Sequence, residues 1–253
     1  MKKIIFPTII IAALFGSISV KAQQTDTVKT HKWFRHDIAG AAQIQLTYRK
    51  ANISQLNNAL NQNGFASINA NNLWINASMS HLCHNWIMED GIGFTPVATS
   101  SQNNTEVKYN QYQAYFRAGY NVSQNSSFRL YPFAGINLSA AVLDVRDNNR
   151  IKSTGSFSNE LLNSTSSKTF YQPNFGIDLG AGFDYVIKIK PKKTDCFTIE
   201  RNIPIGVRAG YYFNTYAGDW RINNYSLQNS GPNQKQSAVF VSFNIGLGYA
   251  VRK

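Results

Sequence analysis

The last segment of the chain constrains its fold most. Val239, Val241, Phe243, Ile245, Leu247, Tyr249 and Val251 take alternate positions, and Ala238, Phe240, Ser242, Asn244, Gly246, Gly248 and Ala250 stand between them. An apolar residue at every second place lays one whole face of a β-strand against an apolar environment. One such run can arise by chance, so recurrence carries the argument. Phe175, Ile177, Leu179, Ala181, Phe183, Tyr185, Ile187 and Ile189 repeat it, opposed by Asn174, Gly176, Asp178, Gly180, Gly182 and Asp184. Weaker versions begin at Ile44, Leu73, Trp86, Tyr112, Leu130 and Ile203. The pattern predicts about eight strands, most able to supply the ~9 to 11 residues that a tilted strand needs to cross a bilayer.

A soluble sandwich also alternates, so the opposite faces must decide. They carry glycines among Asn and Ser, such as Gly135, Gly206 and Gly210, where a water-facing strand would carry Lys, Glu and Thr. Small side chains suit the crowded lumen of an eight-stranded barrel, and glycines relieve bends as a sheet closes. Charged residues make up 15% of the chain, against roughly 25% in soluble domains. No apolar run near ~20 residues follows the N-terminus, which excludes a helical membrane protein. Tyr48, Tyr120, Tyr185, Phe213 and Tyr249 fall near strand ends, where interfacial girdles sit. The reading is an all-β, eight-stranded, antiparallel up-and-down transmembrane β-barrel, with a secreted β-sandwich as its competitor.

Residues 1–22 have the order of a signal peptide: Lys2 and Lys3, an apolar stretch from Ile4 to about Val20, and a small-residue exit at Ala22 before Gln23. Residues 23–36 read as a flexible segment and 37–253 as the barrel. Removing the three lysines of the leader leaves 22 basic against 13 acidic side chains, a net charge of +9. Export takes Cys83 and Cys196 to an oxidising compartment where a disulfide is allowed; two idle thiols are the simpler reading.

With the N-terminus in the periplasm, links alternate sides. Lys50 to Asn71, Thr99 to Glu106, Arg146 to Lys168 and Asn214 to Lys235 fall outside; His84 to Asn85, Ser123 to Ser127 and Lys188 to Glu200 fall inside. Long loops lie mostly outside and short turns inside, as bacterial outer-membrane barrels require. The short second outer link and the long basic turn at Lys188 to Glu200 are the exceptions. Ile53, Leu56 and Leu60, with a stop at Gly64, predict a short helix within Asn52 to Gly64 of the first outer loop.

The leader, Tyr-Pro-Phe-Ala-Gly-Ile at 131–136, Leu-Gly-Ala-Gly-Phe-Asp-Tyr at 179–185 and the closing Gly-Leu-Gly-Tyr strand resemble small outer-membrane β-barrel proteins of Gram-negative bacteria, of the OmpA-like, OmpX-like and PorT-like kind. The resemblance covers nearly all of residues 37–253 and is one of pattern. It implies an outer-membrane location, contact with outer-membrane lipid and lipopolysaccharide, insertion by the barrel-assembly machinery, and a structural or surface-interaction role, with an envelope protein as a further partner. Nucleic acid is excluded after export, and no cofactor is expected.

Arg117, Arg129, Asp178, Asp184 and Arg208 fall opposite the apolar faces and are predicted to form a polar lumen network, a salt-bridged plug or, as the alternative, the constriction of a narrow solute or ion channel. His81, Cys83 and His84 have metal-ligating chemistry, but adjacent strand residues point to opposite faces, so no metal site is assigned. Ser80 and His81 oppose one another for the same reason, which leaves an envelope-lipid-modifying barrel enzyme as the minor reading. Lys188, Lys190, Lys192 and Lys193 in one predicted turn, and Arg146, Arg150 and Lys152 in an outer loop, read as solvated charge. In the third strand Trp86, Met88, Ile92 and Phe94 face lipid, so Asp90 would too; a bulge at Asp90-Gly91 or a shifted register is the expected escape.

Overall fold

The computed structural model describes residues 38–252 apart from positions 124, 126, 148–166, 194–197, 223–224, 227–230 and 233–235. The leader with its Ala22–Gln23 junction, the segment 23–36, Cys196, Arg150 and Lys152 therefore lie outside the described residues. In chain order the elements are β1 (Ile38–Arg49), α1 (Ser54–Gln62), β2 (Leu73–Cys83), β3 (Trp86–Phe94), β4 (Ala98–Gln102), β5 (Thr105–Tyr120), β6 (Phe128–Asp147), β7 (Ser167–Lys193), β8 (Thr198–Ala217), β9 (Arg221–Ile222), β10 (Tyr225–Ser226) and β11 (Ala238–Arg252).

Eight of these strands form one antiparallel wall in the order β1-β2-β3-β5-β6-β7-β8-β11. The last returns to the first in an unbroken register from Ile38↔Val251 to Arg49↔Phe240, so the eight-stranded ring closes on itself. This is the up-and-down barrel that the alternation predicts. Its faces are the reverse of a sandwich: Leu247 is 71% and Ile92 66% exposed on the outside, while Asn244 and Arg208 are 0% and 1% exposed within. Polar interior and apolar exterior remove the sandwich from consideration.

The apolar band has aromatic borders. Trp86 pairs with Tyr120 at one end of β3 and Phe94 with Tyr112 at the other, bounding the nine residues of Trp86–Phe94. That matches the ~9 to 11 residues of a membrane-crossing strand. Tyr48, Tyr120, Tyr185, Phe213 and Tyr249 all stand exposed on the outer face, as girdle residues should.

The links differ from expectation in three places, one of them Asn214 to Lys235, which holds the end of β8 and the short β9 and β10. Thr99 to Glu106 is no loop: β4 folds back on β5 as a hairpin turning at Asn103-Asn104, both with positive φ. Lys188 to Glu200 is mostly strand, because β7 continues to Lys193 and pairs with the start of β8 across a register shift between Ile189 and Lys192. These strands continue beyond their lipid-facing stretch, where solvent can take the polar side chains.

The predicted helix forms as α1, with Ile53, Leu56 and Leu60 buried. It stops where Gly64 takes φ 79°, a left-handed backbone that lets Phe65 N donate to Leu60 O at 2.9 Å. Asn57 fastens the following chain by donating to Ile68 O at 3.0 Å and accepting from Ile68 N at 2.8 Å. The buried side of the helix packs with Ile68 and Trp220 on Val107, Tyr109, Ala141 and Leu143, the inner faces of β5 and β6. An apolar cap thus occupies the end of the barrel that carries the long loops.

Interior glycines make room for particular neighbours. A Cβ on Gly182 would enter the ring of Tyr131, and one on Gly206 would collide with Asp184 Oδ1.

A closed, hydrogen-bonded barrel resists detergent until heated. The unboiled protein from an envelope fraction is expected to migrate differently from the boiled protein on a denaturing gel, and a soluble, unshifted band would contradict the fold. Leu60→Ala removes a buried leucine worth ~2–5 kcal/mol; proteolysis within residues 51–72 should accelerate while the heat-dependent shift persists.

Candidate functional site

Alternation directs Gln43 and Gln45 (β1), Ser78 and Ser80 (β2), Glu89 (β3), Arg117 (β5), Tyr131 (β6), Asp178 and Asp184 (β7), Arg208 (β8) and Asn244 (β11) into the lumen, and all of them are buried. Every strand of the wall contributes to this layer. Arg117 donates to Asp178 Oδ2 from Nε at 3.0 Å and from Nη2 at 2.8 Å, and its Nη1 lies 3.5 Å from Glu89 Oε1. Arg208 Nη2 lies 2.7 Å from Glu89 Oε2 and donates to Gln43 Oε1 at 3.0 Å. Its Nε donates to Tyr131 Oη at 3.1 Å, and that hydroxyl donates to Asp184 Oδ2 at 3.0 Å. Asn244 Nδ2 joins Asp184 Oδ1 at 3.2 Å, and Gln45 Nε2 donates to Glu89 Oε1 at 2.8 Å.

The topology gives one of these contacts special weight. In a ring of eight strands β3 and β8 are diametrically opposed, so the Glu89–Arg208 ion pair crosses the full lumen. Low local dielectric strengthens such pairs and makes an unpartnered member expensive, so the layer holds together as a unit. Aromatic rings shield it: the Arg117 guanidinium lies 4.2 Å from the Tyr115 ring centroid, 5.4 Å from Phe240 and 5.6 Å from Phe133. Arg49 is held between Trp74 at 4.2 Å and Tyr212 at 4.4 Å. These cation–π stacks bury a charge against aromatic faces.

Of the predicted network, Arg117, Asp178, Asp184 and Arg208 come together. Arg129 does not join the hydrogen-bonded layer; it lies opposite Asp184 in the β6–β7 ladder, only partly buried, at the end of the barrel with the short turns. The residues not anticipated include Glu89, Gln43, Gln45, Tyr131, Asn244 and Arg49. Their signal was available, because each is in phase with inward positions of its own strand: Glu89 with Ile87 and Gly91, Arg49 with Thr47 and Gln45.

The outer wall corrects another expectation. The β2–β3 ladder runs without a shift from Ile75↔Phe94 to Cys83↔Trp86, so neither a bulge nor a changed register relieves Asp90. Its side chain faces outward, with Oδ1 3.8 Å from His81 Nε2. The partner lies diagonally across the ladder. A carboxylate within an apolar band costs up to ~3 kcal/mol when it has none.

Ser80 and His81 stand on opposite sides of the wall: Ser80 Oγ accepts from Gln43 Nε2 at 3.3 Å inside, while His81 meets Asp90 outside. Among the described residues no three His, Cys, Asp or Glu side chains converge as metal ligands. Cys83 is an exposed free thiol 3.7 Å from His84 Nδ1, and the second sulfur, that of Cys196, lies outside the described residues.

Arg208→Met removes the nearer cation of buried Glu89 and leaves it only Arg117 Nη1 at 3.5 Å, and is expected to destabilise the barrel by ~3 kcal/mol. Adding Glu89→Leu should recover a large part of that loss in urea unfolding from lipid vesicles. Additive losses would show that the two side chains are not coupled.

A family model described as the outer membrane protein beta-barrel domain matches residues 10–190, well over half of the chain. No curated protein matches. Among solved structures, neisserial surface protein A is 12% identical, covering 85% of this chain and 97% of that one with a TM-score of 0.37. Ail, the attachment invasion locus protein of Yersinia pestis, solved with the heparin analogue sucrose octasulfate, is 11% identical over 86% of this chain and 99% of its own, with a TM-score of 0.37. A major outer membrane protein from Thermus thermophilus is 8% identical over 84% of this chain and 99% of its own, with a TM-score of 0.40. On the span of the family match, the chain belongs to the outer membrane protein beta-barrel domain family.

Proposed function

We propose that the protein is a sealed outer-membrane barrel with a structural and surface-interacting role, which holds its loop-end assembly of α1 and Trp220 at the cell surface. The observation that carries this reading is the Glu89–Arg208 ion pair between opposed strands, which spans the lumen within a layer of buried polar side chains from all eight strands. The α1 cap adds a second obstruction. In bacterial barrels long loops face outward and short turns face the periplasm, so the end with α1 is the external one. The partners that fit such a role are outer-membrane lipid and lipopolysaccharide around the wall, and an envelope or surface partner at the loops. An envelope-lipid-modifying enzyme finds less support, because Ser80 and His81 are separated by the wall.

Planar bilayers separate the sealed barrel from the narrow channel. The purified protein is expected to give no discrete conductance steps at physiological salt. Arg208→Ala combined with Glu89→Ala removes the bridge and is expected to raise leak current if the cap also loosens. Regular unitary steps from the unaltered protein would overturn the proposal in favour of a channel.

A further inference from the structure

Arg49 differs from the other buried cations of the lumen. It is the last residue of β1, in phase with inward Thr47 and Gln45, and it is 7% exposed. Arg117 and Arg208 meet Glu89 and Asp178 at 2.7 to 3.5 Å. Among the described residues no carboxylate forms an ion pair with Arg49, and no oxygen accepts a hydrogen bond from its guanidinium. What holds it is stacking between Trp74 and Tyr212, each ring centroid within 4.4 Å of the guanidinium carbon. Stacking occupies the faces of the group and leaves its N–H donors, which point outward in its plane, without acceptors. Nor are its nitrogens sealed away, as Nη1 of Arg117 and Nη1 of Arg208 are. Asp178 is the carboxylate that acts on Arg49 through space, but its Oδ2 already accepts twice from Arg117. A buried cation with unused donors is costly until something supplies the acceptor.

We propose that Arg49 is the binding site of a small monovalent anion of halide size, which lies in the plane of the guanidinium and accepts from its N–H groups. The single charge follows from the single cation, because a sulfate or phosphate dianion would bring a second negative charge into the lumen that Asp178 already occupies. The small size follows from the enclosure: Trp74 and Tyr212 are each 1% exposed, and the chain that leaves Arg49 leads directly into the α1 cap. Arg49 also anchors the base of that cap. Its backbone N donates to Asn72 O at 2.9 Å, and Ala51 N donates to Asn72 Oδ1 at 2.8 Å, so the two ends of the segment that carries α1 are clasped at this residue. An anion that fixes the Arg49 side chain therefore steadies the clasp as well as meeting the charge. The inference is independent of whether the lumen conducts.

Proteolysis within residues 51–72 reads the clasp. With the full chain in micelles of a neutral detergent, cutting there is expected to be at least about tenfold slower in molar sodium bromide than in molar sodium gluconate, whose anion is too large for the site, because a ligand of the closed state lowers the open population. Arg49→Met removes the cation without stranding an acid, since Asp178 keeps Arg117. Its heat-dependent mobility shift is expected to persist while the difference between the two salts disappears, and it also controls for any action of the salts on the protease. Crystals of the unaltered chain grown in bromide are expected to show an anomalous scatterer in contact with the guanidinium nitrogens of Arg49. Equal cutting in the two salts, a difference that Arg49→Met retains, or bromide crystals with no scatterer beside Arg49 would overturn the proposal and leave the guanidinium to its two rings and Asp178. Should Arg49→Met fail to fold, the diffraction result decides.

Discussion

Lipid cannot hydrogen-bond a backbone amide, and the rest of the structure follows from this constraint. A sheet in the bilayer core must leave no N–H or C=O unpaired, since each such group costs several kcal/mol there. The twelve-residue β1 meets that demand by pairing along its length with β2 on one side and β11 on the other. Closure then dictates the chemistry of both faces. What points out must suit hydrocarbon, and what points in must fit a narrow bore. The second requirement is the harder one, because polar groups confined there must satisfy each other. The layer of Gln43, Glu89, Arg117, Tyr131, Asp178, Asp184, Arg208 and Asn244 does so for most of its atoms, drawing on neighbours two strands away and, through Glu89, on the far wall, and leaves Arg208 Nη1 and Asn244 Oδ1 without a hydrogen-bond partner among the described residues. It ties together strands that the backbone ladder links only in sequence.

Much of this architecture was legible in the sequence because its determinants are local. Period-two alternation is a property of a single strand, so eight strands and their inner and outer faces could be read from Leu46, Phe183 or Ile245 and their neighbours. The helix was legible for the same reason: Ile53, Leu56 and Leu60 mark one face of one turn after another. Which inward side chains meet is not local. Arg117 and Asp178 are 61 positions apart, and only the register of the closed sheet brings them level. Glu89 was overshadowed by its neighbour Asp90, the more visible problem, although alternation alone assigns the two acids to opposite faces.

The strand ends were misread where solvent replaces lipid. Beyond the band the outward face no longer has to be apolar, so the alternating signal fades although the ladder continues. Lys192 and Lys193 belong to β7, and Ser100 and Ser101 to β4, without an apolar partner at every second place. Arg129 was placed in the network by its phase, correctly as to face; it stands opposite Asp184, whose two oxygens are taken by Tyr131 and Asn244, and phase does not tell which neighbour a carboxylate meets.

The strands also differ in how far they continue past the lipid. β3 ends at Phe94 and β1 at Arg49, whereas β5 begins at Thr105, seven residues before Tyr112, and β6 and β7 follow it out to Asp147 and Ser167. The rim is therefore tall on one flank and low on the other. At ~3.3 Å per residue the taller flank rises on the order of 20 Å along the strand direction, a stiff parapet where a symmetric barrel would have only loops. With the loop end outward, as proposed above, the strands of that parapet reach further from the lipid than β1, β2 and β3, where the segment that carries α1 takes their place.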